Sequence, residues 1–202
     1  MPGAHYSKLK SEKLNIQIRS STITAERALK LMPKKNRFVA LGKYSISCPL
    51  WFTKRFKKIN RRQLYSWFLA EAFGLVLAEL DRKKYKVIST RNWRRSRFTP
   101  AKDILKKRLR TCGTMALLTA AGLRSLGIPV KLIHGYFKDP KEKFRHAWNE
   151  VYFPDAKKFL PLDITRLNYA ITDQHIKIKE CVDWEELEGK EWDVAKKYKK
   201  VK

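Results

Sequence analysis

The chain has 202 residues, 44% of them hydrophobic and 12% aromatic, and a formal net charge of +27 from 46 Lys and Arg against 19 Asp and Glu. A single domain of this length buries roughly 70% of its unfolded surface, so it needs no disulfide or metal to fold. Its apolar content excludes a disordered, collagen-like or low-complexity chain. The three cysteines, Cys48, Cys112 and Cys181, are odd in number and far apart, with no CxxC between them. That pattern supports neither a disulfide framework nor a common zinc knuckle, and it predicts a reducing, cytoplasmic setting with no metal or other cofactor. The opening MPGAHYSKLK holds no apolar run, which predicts no signal peptide.

The charge is uneven. Residues 1–100 carry 24 basic and 5 acidic groups, whereas residues 101–202 carry 22 and 14. Such a field favours a polyanion such as nucleic acid, anionic lipid or acidic protein, although a solvated surface or a compositional bias produces the same numbers.

Thr24-Ala-Glu-Arg-Ala-Leu-Lys-Leu-Met32 predicts a short helix capped by Thr24 and stopped near Pro33. Arg37 to Trp51 reads as loop with one short strand. From Asn60 to Lys84, Leu64, Trp67, Phe68, Ala72, Leu75, Val76 and Leu80 recur at three and four, predicting a long helix capped by Asn60. Glu71 and Glu79 interrupt this apolar run and its flanks are basic, which favours a core helix over a membrane span. Tyr85 to Thr90 reads as a short strand, and Arg91 to Arg97 as a basic loop around Trp93.

Pro100 to Arg110 predicts a helix with Pro near its first position. Cys112 to Leu126 predicts a second, with Gly127 placed for a left-handed cap and Pro129 preventing continuation. Val130 to Phe137, Ala147 to Phe153 and Phe159 to Leu162 are β-rich and bounded by turn chemistry, which predicts an antiparallel meander. His175 to Val182 alternates, Asp183 to Asp193 is acidic and reads as helix, and Lys196 to Lys202 reads as a frayed basic terminus.

Cys112 falls at a predicted helix start, where unpaired backbone N–H groups and the helix dipole favour a thiolate. A free cysteine is most often just a small buried residue, so position alone does not make it a nucleophile. His146 opens a predicted strand whose alternation separates His146, Trp148, Glu150 and Tyr152 from Ala147, Asn149, Val151 and Phe153. Asp163 ends the next strand. A thiol, an imidazole and a carboxylate in that order fit a nucleophile with an oriented base. His134 reads as a core histidine, His5 and His175 as lacking partners, and Cys48 and Cys181 as structural.

The linked segments Asp103-Ile-Leu, Thr111-Cys112-Gly113, Leu123-Arg124-Ser-Leu-Gly127-Ile128-Pro129-Val130 and Gly135-Tyr136 resemble the core of the transglutaminase-like superfamily. His146-Ala147-Trp148 with Glu150-Val151-Tyr152 resembles that family's "HAW-x-EV" strand, and Pro161-Leu-Asp163-Ile-Thr165 its "P-x-D-x-T" segment. The resemblance covers about residues 100–166. It implies an α+β, papain-like core in which a helix bearing Cys112 packs on an antiparallel sheet bearing His146 and Asp163. It also implies a Cys–His–Asp triad acting at an acyl or amide carbon. The sequence departs from the family at Arg110, where glycine is frequent, and at Thr114, where an acidic residue is frequent. Trp93 is a candidate second oxyanion donor beside the backbone N–H of Cys112.

The expected organisation is a basic, mainly helical extension over 1–99 packing on the core, a catalytic core over 100–182, and a C-terminal helix and Lys-rich tail over 183–202. The expected activity is a cysteine hydrolase of peptidase or amidase type, or an acyltransferase, acting through a thioester on a peptide or protein amide. The alternative is a non-enzymatic module that binds nucleic acid or another polyanion on the same scaffold.

Overall fold

The computed structural model describes residues 21–81, 96–138, 143–166 and 174–188. Helix α1 (Ala25–Lys30) opens as expected, with the Thr24 hydroxyl accepting from Arg27 N at 3.3 Å. A 3-10 turn, Arg37–Val39, replaces the strand expected near there. Helix α2 (Leu50–Lys57) follows Pro49, in a stretch whose charge hides its period. Its Phe52, Thr53 and Phe56 are buried, Lys54 and Lys57 are exposed, and Arg55 is half-buried against Glu79.

Helix α3 (Tyr65–Asp81) begins later than expected. The Asn60 side chain accepts from Arg62 N at 3.0 Å in a local turn, rather than capping a helix. The buried stripe of α3 includes Phe68, Ala72, Val76 and Leu80 as read from the sequence, together with Tyr65, Leu69 and Phe73. Trp67 and Leu64, assigned to that stripe from periodicity, are 66% and 39% exposed. Among the described residues, no helix is long and apolar enough to cross a membrane. The strand expected at 85–90 and the Trp93 loop up to Arg95 lie outside the described residues, as does the Lys-rich end; of the helix expected over 183–193, the described part is a 3-10 turn, Trp184–Leu187.

Helix α4 (Ala101–Lys107) follows Pro100 and closes on Arg108 in the left-handed region, at φ 51°. Helix α5 (Cys112–Arg124) is buried over nearly its whole length and ends at a Gly127 with φ 79°, the backbone that position requires. Strands β1 (Val130–Lys138), β2 (Lys143–Phe153) and β3 (Lys158–Leu162) form the expected antiparallel meander. Strand β4 (His175–Cys181) returns to the far side of β1, giving the order β3-β2-β1-β4.

The fold is thus α+β, with helices on a four-stranded antiparallel sheet. Helix α5 is its central element, packed on β1 and β2 and touched by α2, α3 and α4. Asn149 of β2 donates to the Ala116 carbonyl of α5 at 3.1 Å. Tyr65 of α3 donates to the Tyr152 carbonyl at 3.0 Å, and its ring meets Phe153 edge-on at 5.2 Å. One hydrophobic cluster runs from Ala25 in α1 to Leu187 near the end of the described chain.

Helices α2 and α5 approach closely at Gly122, where an added Cβ would lie 2.1 Å from the Phe56 ring of α2. Phe56 is fully buried, so its ring cannot swing away into solvent. Gly122→Ala is therefore expected to destabilise the fold by about 1–3 kcal/mol despite the better helix propensity of alanine. A lower urea midpoint checks this, and the double variant with Phe56→Leu is expected to regain part of the loss.

Candidate active site

Cys112 is the first residue of α5, and the turn that presents it is built by two threonines. Thr111 accepts from Thr114 N at 3.2 Å, and Thr111 N donates to Thr114 Oγ1 at 2.9 Å. Thr114 Oγ1 also donates to the Leu109 carbonyl at 2.7 Å. These bonds form a capping box. The threonine that departs from the family pattern therefore closes the helix start that holds Cys112, which is itself partly exposed.

His146 lies inside β2 rather than at its mouth, because that strand starts at Lys143. Its backbone pairs with Gly135 of β1. A Cβ on Gly135 would sit 2.6 Å from the Trp148 ring and 2.2 Å from the Ile176 carbonyl, so only glycine lets Trp148 lie across β1. The Trp148 ring stacks on His146 at 6.0 Å. Asp163 follows β3 and leads into a 3-10 turn, Ile164–Arg166.

The structure brings the imidazole and carboxylate together. His146 Nε2 lies 2.6 Å from Asp163 Oδ2, and both side chains are buried. Thr165 fastens the other oxygen, its N–H donating to Asp163 Oδ1 at 3.0 Å and its hydroxyl at 2.6 Å. Burial alone would raise the Asp163 pKa, but these bonds hold it well below the usual carboxylate range. Burial alone would lower the His146 pKa, but interactions with Asp163 and Cys112 push it up to about 9.

His175 corrects the sequence reading. It does have a partner: its Nε2 lies 3.1 Å from Asp163 Oδ2. The alternation of 175–181 was legible, but not that β4 would cross to the free edge of β1 and bring its first residue opposite Phe137. The donor atoms of His146, Asp163 and His175 lie within 4.8 Å of one another, close enough to be considered as metal ligands. At 2.6 Å the His146–Asp163 pair has the separation of a charge-assisted hydrogen bond.

A small cleft is lined by Arg97, Thr111, Cys112, Gly113, Ala147 and Trp184. Trp184 donates from Nε1 to the Gly113 carbonyl at 3.0 Å, so the last described segment anchors the turn that carries Cys112. Arg97, read from sequence as the end of a basic loop, is buried. Its Nη1 lies 3.2 Å from His134 Nδ1. His134 is the core histidine expected, its pKa lowered to about 3 by burial and by the Arg97 and Arg145 charges. Cys48 and Cys181 match their structural reading: burial pushes the Cys48 thiol up to about 12, and Cys181 is fully buried.

Residues 75–164 match the family model of the transglutaminase-like superfamily. That segment begins within α3, ahead of the motif-bearing stretch, and contains Cys112, His146 and Asp163. The match covers 90 of the 202 residues and agrees with the resemblance read from the sequence. Its fold is similar to the crystal structure of a "Putative Cysteine Protease from Cytophaga hutchinsonii", with a TM-score of 0.60 and 20% identity. The likeness covers 82% of this chain and 55% of that one, so the chain spans about half the length of this neighbour. No curated protein matches the chain.

The site makes stability depend on pH. A raised His146 pKa contributes stability that is fully present below the unfolded value of about 6.5 and is lost as pH rises through about 9. The depressed Asp163 contributes stability present above its unfolded value and lost as pH falls. The urea midpoint of the wild type is expected to fall between pH 6.5 and 9. His146→Gln should be less stable at pH 6.5 and flatter across that window. Parallel curves for the two proteins would show that His146 titrates normally.

Proposed function

We propose that this protein is a cysteine hydrolase of amide bonds, of peptidase or amidase type. The observation that carries the reading is the 2.6 Å bond between His146 and Asp163, with Cys112 acting on the same imidazole from the start of α5 at the wall of a cleft. The transglutaminase-like core and a structural neighbour named as a cysteine protease support this class of chemistry.

In this mechanism the Cys112 proton rests on His146, which keeps it up to about pH 9, and the Sγ thiolate so formed attacks the amide carbonyl carbon. The carbonyl π bond opens, and the oxyanion accepts from the Cys112 backbone N–H, which an α-helix leaves free at its first residue. Collapse of this intermediate breaks the C–N bond, and His146 gives its proton to the departing amine. Water, deprotonated by His146, attacks the thioester and releases the carboxylic acid and the Cys112 thiol. Asp163 accepts from His146 Nε2, which fixes the tautomer, turns Nδ1 toward the thiol and stabilises the imidazolium. Replacing water by an amine makes the same site an acyltransferase. Water is the default acceptor because it needs no site of its own.

Cys112→Ala and His146→Ala should each lower kcat/KM on an amide substrate by about 10³-fold or more, the double variant should lose little beyond that, and Asp163→Ala should lose less. Independent, additive losses would overturn the reading. Iodoacetamide should label Cys112 faster than Cys48 or Cys181 at pH 6, because the Cys48 thiol is pushed up to about 12 and Cys181 is fully buried.

A second reading rests on α2, where Trp51 is 52% exposed and Lys54, Lys57 and Lys58 are also exposed. Phe56, which the sequence interleaves with them, is buried and unavailable for stacking. On this reading the basic half binds a polyanion such as nucleic acid, and Cys112→Ala leaves that binding intact. Affinity for labelled duplex, single-stranded RNA or anionic vesicles should fall steeply with salt, by a log–log slope of about −0.9 per phosphate contact on duplex DNA. If none of the three binds at low salt, the charge serves only as a solvated surface.

A further inference from the structure

Asp163 is saturated as an acceptor. An ionised carboxylate offers about four lone-pair positions, and four donors approach this one. Oδ1 receives the Thr165 N–H and hydroxyl, and Oδ2 receives two imidazoles, His146 at 2.6 Å and His175 at 3.1 Å. Because Oδ2 only accepts, both rings must carry a proton on Nε2.

His175 is built into this position. Its side chain is 1% exposed. The Phe137 ring meets it edge-on at 5.0 Å and Trp148 at 5.2 Å. Its backbone pairs with Phe137 across the β1–β4 ladder.

We infer that His175 is a positioning residue that acts on His146 through Asp163, given the roles proposed above for Cys112, His146 and Asp163. By donating to Oδ2 it fixes the carboxylate's orientation and takes up part of the negative charge that His146 would otherwise feel. The base is thereby tempered as well as aimed. The titratable groups facing this set are His146 from β2, His175 from β4 and, against His146, Cys112 from α5. Lys177, next on β4, is engaged by Glu150 and Glu180. Arg145 of β2 acts on His134, and the β1 residue against His175 is the uncharged Phe137.

Removing the second donor has a signed consequence. Oδ2 then belongs to His146 alone, so the imidazolium keeps its proton to higher pH. Asp163, with one donor fewer, takes up a proton at higher pH. Both limbs of the pH profile move upward, whereas a residue that only fills the core would leave them in place.

The experiment uses the full chain with ring-¹⁵N histidine, comparing wild type, His175→Phe and His175→Gln. In His175→Phe the His146 ring should titrate at a pH higher by about half a unit or more. On an amide substrate kcat should fall by about tenfold with KM little changed, and both pH limbs should shift up. His175→Gln, which keeps an N–H donor, should restore most of the wild-type titration. An unshifted His146 titration in folded His175→Phe would overturn the inference, as would Gln and Phe variants that behave alike. Should His175→Phe not fold, the wild-type spectrum decides: a His175 ring with bare Nε2, or one whose signals ignore Asp163→Asn, overturns it. The two readings fail separately. Full activity in Cys112→Ala would end the hydrolase reading, while the ring titrations would still report the coupling of His175 to His146.

Discussion

A carboxylate with no solvent-exposed side chain sits at the end of β3, and the arrangement around it depends on keeping it ionised there. Burying such a group without partners costs several kcal/mol, so every acceptor position of Asp163 is matched by a donor. Those donors come from β2, from β4 and from the turn after Asp163 itself. They converge only if β4 crosses to the far edge of β1, so the strand order β3-β2-β1-β4 and the ionisation of Asp163 are two descriptions of one constraint. Gly135 belongs to it too, because the Trp148 ring that covers both imidazoles needs the space a side chain would fill.

The second requirement is to hold the start of α5 against this group, and it is met by parts of the chain far apart in sequence. Thr111 and Thr114 fix the turn locally. Trp184 ties the following carbonyl to the last described segment. Asp183, next to it, accepts from the backbone and hydroxyl of Ser45 at 2.9 and 2.5 Å. A segment before the motif-bearing stretch is thus bonded to one after it, around the helix that carries Cys112. Gly122 lets α2 close on the same helix from behind. The helices before residue 100 therefore support the cleft as well as carrying charge, which is consistent with a family match that begins within α3.

Much of this was legible where a signal is local. Thr24 as a cap, Gly127 as a left-handed stop and the three-strand meander all follow from short-range chemistry. The Asn60 error shows the limit of that reasoning, since an Asn that caps a helix and one that closes a turn look alike in sequence. Helix α2 was hidden because four of its flanking and internal positions are cations, so only Phe52 and Phe56 mark its buried side. His175, Arg97 and Trp184 were missed because their partners lie 12, 37 and 71 residues away, and nothing in a strand's alternation states which edge it will join.

The two histidines on neighbouring strands show how little of an imidazole's behaviour is its own. His134 of β1 and His146 of β2 sit at adjacent rungs of one ladder, paired with Ala147 and Gly135, and both are almost fully buried. Burial pulls both toward the neutral form. For His134 the nearby charges are Arg97 and Arg145, which add to burial and bring it down to about 3. For His146 the partners are Asp163 and Cys112, which reverse burial and carry it up to about 9. Across the physiological range one ring is therefore a fixed neutral acceptor for Arg97, while the other holds a proton between Asp163 and Cys112. Partners placed on opposite sides of one rung separate a structural histidine from one suited to move a proton. That separation is set by the topology that delivers Asp163, and by nothing in the dipeptides around either residue.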